Sequence, residues 1–88
     1  MKYKIFYEDT LIGILEIDEK NQYKYTPDEE GTDLKRNEIS IFPELLDKYD
    51  EQKPIALFKS RIKDAEYFGN TDVISKQTDP FKLVKVNN

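Results

Sequence analysis

Between Tyr3 and Thr26 the side chains switch sides at almost every residue, and this period of two restricts the possible folds more than any other feature of the chain. Tyr3, Ile5 and Tyr7 fall on one face of an extended segment and Lys4 and Phe6 on the other. Their aromatic and β-branched side chains suit a pleated surface. Glu8, Asp9 and Thr10 form a short polar turn, after which Leu11, Ile12, Gly13, Ile14, Leu15, Glu16 and Ile17 resume an apolar, β-branched run. A second polar turn, Asp18 to Asn21, leads to Tyr23, Lys24, Tyr25 and Thr26, and Pro27 ends the ladder because it has no amide hydrogen to donate. Three antiparallel strands in a meander are expected. Gly13, in the middle of the second, marks a bulge or a close backbone approach.

Past the meander the pattern changes. Asp28 to Asn37 is acidic, shows no period and contains Gly31, so it reads as a loop. Ile39 to Phe42 reads as a short extended segment, and Pro43, suited to the first helical position, precedes one or two turns of helix over Glu44, Leu45, Leu46 and Lys48. Pro54 opens the best helix, in which Ile55, Phe58, Ile62 and Ala65 recur on one face, joined by Phe68, and Gly69 is the natural stop. A polar stretch follows, and Phe81 to Val86 reads as a final strand. The fold class expected is α+β: an antiparallel sheet of three to four strands (β-meander, short helix, one main helix, C-terminal strand) with the main helix packed on one face.

Eighty-eight residues hold one core, so residues 1–88 form a single domain. A core of this size leaves a stability margin of about 3–5 kcal/mol, to which a partner covering apolar surface would add. No repeat appears at any period. No apolar stretch of the signal-peptide kind follows Met1, Lys2, Tyr3 and Lys4, and the apolar run Leu11 to Leu15 is far shorter than the roughly 20 residues a membrane span needs. The cytoplasm is therefore the expected compartment, with no membrane partner.

The chain contains neither Cys nor His, which removes thiolate nucleophiles, disulfides and zinc knuckles together with the commonest general base and transition-metal ligand. Ser60 beside Lys59 is adjacency in sequence rather than the geometry of a dyad. The acidic run Asp28, Glu29, Glu30 and Asp33 lacks the spacing of a calcium loop, and glycines at 13, 31 and 69 cannot form a phosphate-binding loop. No enzyme activity, cofactor or metal is expected.

Recognition remains. The net charge of −4 divides into −1 over residues 1–27, −6 over 28–51 and +3 over 52–88, a polarity able to steer a partner or to let copies dock head to tail. Tyr3, Tyr7, Tyr23 and Tyr25 make the meander rich in a residue that buries a ring while keeping a hydroxyl wet, as interface residues do. Lys59, Arg61 and Lys63 add the one basic cluster, on the main helix, although they do not share one face and Asp64 and Glu66 lie among them. These seven residues are the candidate partner-binding set. The same cluster with Tyr67 nearby raises nucleic acid as a weaker alternative.

Lys4 to Tyr7, a polar turn, Leu11-Ile12-Gly13-Ile14-Leu15, another turn and Tyr23-Lys24-Tyr25-Thr26-Pro27-Asp28 together resemble the small N-terminal domain of HipA-like kinases. Ile39-Ser40-Ile41-Phe42-Pro43-Glu44-Leu45 is similar to the family's Leu- and Ser-rich segment running into Pro-Leu, with one serine here where the family often has two. The family's ATP-binding and catalytic residues have no counterpart in this chain. What the resemblance implies is a non-catalytic module that binds and restrains a HipA-like kinase in the manner of an antitoxin. A protein-binding accessory domain is thus the first expectation, and a small homodimer the next.

Overall fold

The computed structural model describes residues 1–47, 50–76 and 78–86. Five strands, β1 (Lys2–Tyr7), β2 (Thr10–Ile17), β3 (Tyr23–Pro27), β4 (Val73–Ser75) and β5 (Phe81–Val86), form one sheet in the order β3-β2-β1-β5-β4 with every neighbouring pair antiparallel. Between β3 and β4 come α1 (Glu29–Leu34), α2 (Arg36–Ile39), a 3-10 turn over Pro43–Leu45 and the main helix α3 (Gln52–Phe68). The α+β class and the helix-on-sheet packing are those read from the alternation and the 3.6-residue period.

The alternation sets the layers. Tyr3, Ile5 and Tyr7 of β1, Leu15 and Ile17 of β2, Tyr25 of β3, Ile74 of β4 and Phe81 and Leu83 of β5 are all buried. They meet Ile55, Phe58 and Ile62 of α3, while Ile39 and Leu45 close one end of the same core. Phe58 sits at its centre, with its ring 5.4 Å from Tyr25 and 5.5 Å from Phe81. Burying such a side chain stabilises the fold by roughly 1.5–3 kcal/mol. Gly69, at φ 85°, ends α3 as expected.

The irregularity expected at Gly13 is a β-bulge. Ile5 pairs with Gly13 but Phe6 pairs with Leu11, so Ile12 is the extra residue. The ring of Tyr25 lies over Gly13, where any Cβ would collide with it. The Ile12 carbonyl accepts from the Tyr25 hydroxyl (3.1 Å), the Thr32 hydroxyl (3.1 Å) and the Asp28 amide (2.8 Å). One bulge carbonyl thereby ties β2 to β3 and to α1.

Three local expectations need correction. The supposed loop over 28–37 is helical: the Asp28 side chain accepts from the Gly31 amide at 2.9 Å, and Glu29 and Glu30 occupy the first turn where acidic side chains favour the helix dipole. Its pattern was illegible because α1 buries only Gly31, whose missing Cβ lets the helix approach the Leu11 carbonyl. Ile39 ends α2 instead of opening an extended segment, and a single 3-10 turn follows Pro43, with Lys48 outside the described residues. The sheet has a fifth strand, β4, hidden from the sequence because it is three residues long and buries only Ile74.

Candidate functional site

A two-layer fold leaves the sheet a second face, built from the other half of the alternation. Direct pairing aligns Thr26, Ile14, Lys4, Val84 and Val73 in one row across all five strands. On one side of it lies the row Leu11, Phe6, Lys82 and Ser75, and on the other Lys24, Glu16, Lys2 and Val86. None of these side chains is buried, whereas every hydrophobic side chain of β1 and β5 that points the other way is. Among the described residues no helix covers this face.

Its chemistry is mixed. Phe6, Leu11, Ile14, Val84 and Val86 are half-buried by their neighbours in the sheet and present apolar surface outward. Lys2, Lys4, Lys24 and Lys82 add four positive charges and Glu16 one negative, giving a local balance of 4 − 1 = +3 on a chain whose net charge is −4. Glu8 and Asp9 stand at the rim, in the β1–β2 turn, where Glu8 adopts φ 52°. A shallow depression of about 350 Å³ runs between Lys4, Phe6, Lys82 and Val84 and that acidic rim. With no imidazole or thiol in the chain, apolar contact and charge pairing are what this surface supplies.

The seven residues singled out from the sequence do not assemble here. Tyr3, Tyr7 and Tyr25 belong to the core, which corrects the expectation that the meander's tyrosines form a binding face: a partner cannot reach them beneath α3. Their hydroxyls serve the fold. That of Tyr3 donates to the Thr71 carbonyl at 2.8 Å and that of Tyr25 to Ile12; burial raises the pKa of Tyr3 and pushes that of Tyr25 well above the ordinary tyrosine range. Tyr23 is half-buried on the edge strand, with the Lys59 ammonium 5.1 Å above its ring.

Arg61 is likewise structural. Its Nε donates to Asp79 at 2.6 Å, it lies 5.3 Å over the Phe81 ring, and both partners of the ion pair are largely covered. Lys63 is exposed one turn after Lys59, while Arg61, two residues from each, turns away into its ion pair with Asp79, so the three make no common basic surface. What sequence reasoning missed is the face carrying Lys4 and Phe6. The signal was present in the alternation, but attention went to the tyrosines, whose hydroxyls suggested wetness while their rings filled the core.

A second exposed feature lies on the helical side. Lys35 and Ile39 continue the hydrogen bonding of α1 into α2, their amides donating to Gly31 and Lys35 carbonyls at 3.2 and 2.9 Å. Along these two short helices Glu30, Leu34 and Glu38 recur at helical spacing, and Ile41 follows in the turn after α2, with Leu34 69% and Ile41 73% exposed. Arg36 is engaged by Asp33 at 2.5 Å, and Glu29 stands beside Glu30 in the first turn. At the far end of α3, Tyr67 and Phe68 form a third exposed apolar pair.

Fold and surface together define an α+β domain of two layers, in which the helices cover one sheet face and leave the other open. No family model, curated protein or solved structure matches the chain. Among the described residues, no group of three or more acidic side chains is arranged to hold a metal ion, and no helix is long and apolar enough to cross a membrane.

Proposed function

We propose that this chain is a non-catalytic protein-binding domain whose recognition surface is the open sheet face. The observation that carries the reading is that face itself: apolar side chains on four of the five strands, Leu11 and Ile14 of β2, Phe6 of β1, Val84 and Val86 of β5 and Val73 of β4, interspersed with lysines and uncovered among the described residues. Apolar surface left in contact with water is a source of binding free energy, and contiguous patches of it mark interaction sites. Five strands about 4.8 Å apart and three to eight residues long present at most roughly 20 by 20 Å, an area at the small end of interfaces and suited to a transient contact.

Nucleic acid fits this surface less well. Sheets that bind single strands stack bases on two or three aromatic rings; this face offers one, Phe6, beside the acidic rim of Glu8 and Asp9. The resemblance of the N-terminal strands to the small domain of HipA-like kinases makes such a kinase the first partner to test, with restraint of the kinase as the proposed outcome. Co-purification at micromolar concentration is expected to retain the kinase with this chain and to lose it with Lys4→Glu plus Lys82→Glu. Absence of co-elution with the unaltered chain removes the kinase as partner; co-elution indifferent to the two substitutions removes the sheet face as the surface.

A further inference from the structure

The molecule carries both halves of a contact on opposite layers. The open face is apolar and locally basic, while the α1–α2 ridge presents Leu34 and Ile41 among acidic side chains on the helical layer. From this complementarity we infer that the open sheet face takes the α1–α2 ridge of a second copy of this chain, head to tail. The inference rests on the reading of the sheet face as the binding surface and names its occupant.

Dimensions and charge both favour it. From Glu30 to Glu38 the two helices run about 12 Å at 1.5 Å per residue, which fits within a strand of six residues at about 20 Å. Leu34 and Ile41 supply knobs for the apolar side chains of Phe6 and Leu11, paired across β1 and β2, and of Ile14 and Val84, which flank Lys4, while Glu30 and Glu38 meet lysines such as Lys4 and Lys82. A face-to-face pairing is disfavoured because it would set the lysines of one copy against those of the other. Head-to-tail contact leaves a free face at one end and a free ridge at the other, so assembly continues instead of closing at two. The small area and exposed charges make the contact weak and salt-sensitive.

Sedimentation of the full chain gives the test. At about 25 mM salt, where exposed charges still attract over roughly 20 Å, the weight-average mass is expected to climb with concentration beyond twice the 10.4 kDa monomer, and at about 500 mM salt to fall back towards it. The face variant (Lys4→Glu with Lys82→Glu) and the ridge variant (Glu30→Lys with Leu34→Ser), each altered at exposed positions and checked by circular dichroism, are each expected to be monomeric. Mixed one to one, they should form a dimer and nothing larger, because each lends the other its one intact surface.

A strictly monomeric wild type at about 1 mM protein, about a thousandfold above a micromolar Kd, overturns the inference. So does an assembly that stops at two, or a mixture that stays monomeric. A wild type that does not self-associate but holds a kinase partner through Lys4 and Lys82 would sink this inference alone and leave the protein-binding reading standing. Self-association untouched by the face variant sinks this inference, and kinase co-elution equally untouched by it sinks the reading of the sheet face as well.

Discussion

Ile12, Gly13 and Tyr25 show how much of this fold depends on three side chains. The bulge turns the Ile12 carbonyl out of the regular ladder, and a buried carbonyl without a donor costs about 1–3 kcal/mol; here the Tyr25 hydroxyl, the Thr32 hydroxyl and the Asp28 amide all reach it. Tyr25 can do so only because position 13 has no side chain. Gly13→Ala is therefore expected to cost more than 2 kcal/mol, about the size of an overpacked core, measured by urea denaturation. Pairing it with Tyr25→Ala should recover part of the loss relative to the sum of the single changes, since the second substitution removes the colliding ring.

The same ring makes stability depend on alkaline pH. Burial holds the Tyr25 hydroxyl protonated well above its ordinary 10.0. The folded chain then keeps a proton that the unfolded chain releases as pH passes about 10, so the unfolding free energy is flat below that value and falls above it, by up to about 1.4 kcal/mol per pH unit for each such group. Denaturation midpoints followed from pH 7 to 12 should show this decline. Tyr25→Phe should make it shallower while costing about 1 kcal/mol at neutral pH through the lost hydrogen bond.

At the scale of elements, legibility tracks burial. The strands β1, β2, β3 and β5 and helix α3 were readable because each places several apolar side chains on one side: Ile55, Phe58 and Ile62 recur at the helical period, and Tyr3, Ile5 and Tyr7 at a period of two. Helix α1 was not readable, because it buries a glycine and announces itself through its cap alone. Asp28→Ala should cost about 1 kcal/mol and loosen α1, seen as faster amide exchange over residues 29–34, with the sheet unaffected. Phe58→Ala, at the centre of the core, should cost about 3–5 kcal/mol, enough to consume the whole margin of a domain this small. The open face was half legible. Its residues could be read from the alternation as pointing away from Tyr3, Ile5 and Tyr7, but which side the helices would cover depended on where the bulkiest rings went, and tyrosine suits either side of a sheet.

For the molecule as a whole, the decisive fact is that β1 lies in the middle of the sheet with β5 beside it, so that Lys2 pairs with Val86 across the length of the chain. The strand that completes the core also completes the open face: Phe81 and Leu83 point under α3, and Lys82 and Val84 point away from it. Core and open surface therefore separate residue by residue along one strand. Leu83→Ala removes a fully buried side chain and is expected to cost about 2–5 kcal/mol, against a margin of similar size, so thermal unfolding should lose its cooperative transition or begin far lower. Lys82→Glu, one residue away and exposed, should shift stability by no more than about 0.5 kcal/mol. Thermal melts of the two variants side by side check the contrast. If Lys82→Glu unfolded the domain as Leu83→Ala does, the outward face would be part of the core, and no partner could dock on it.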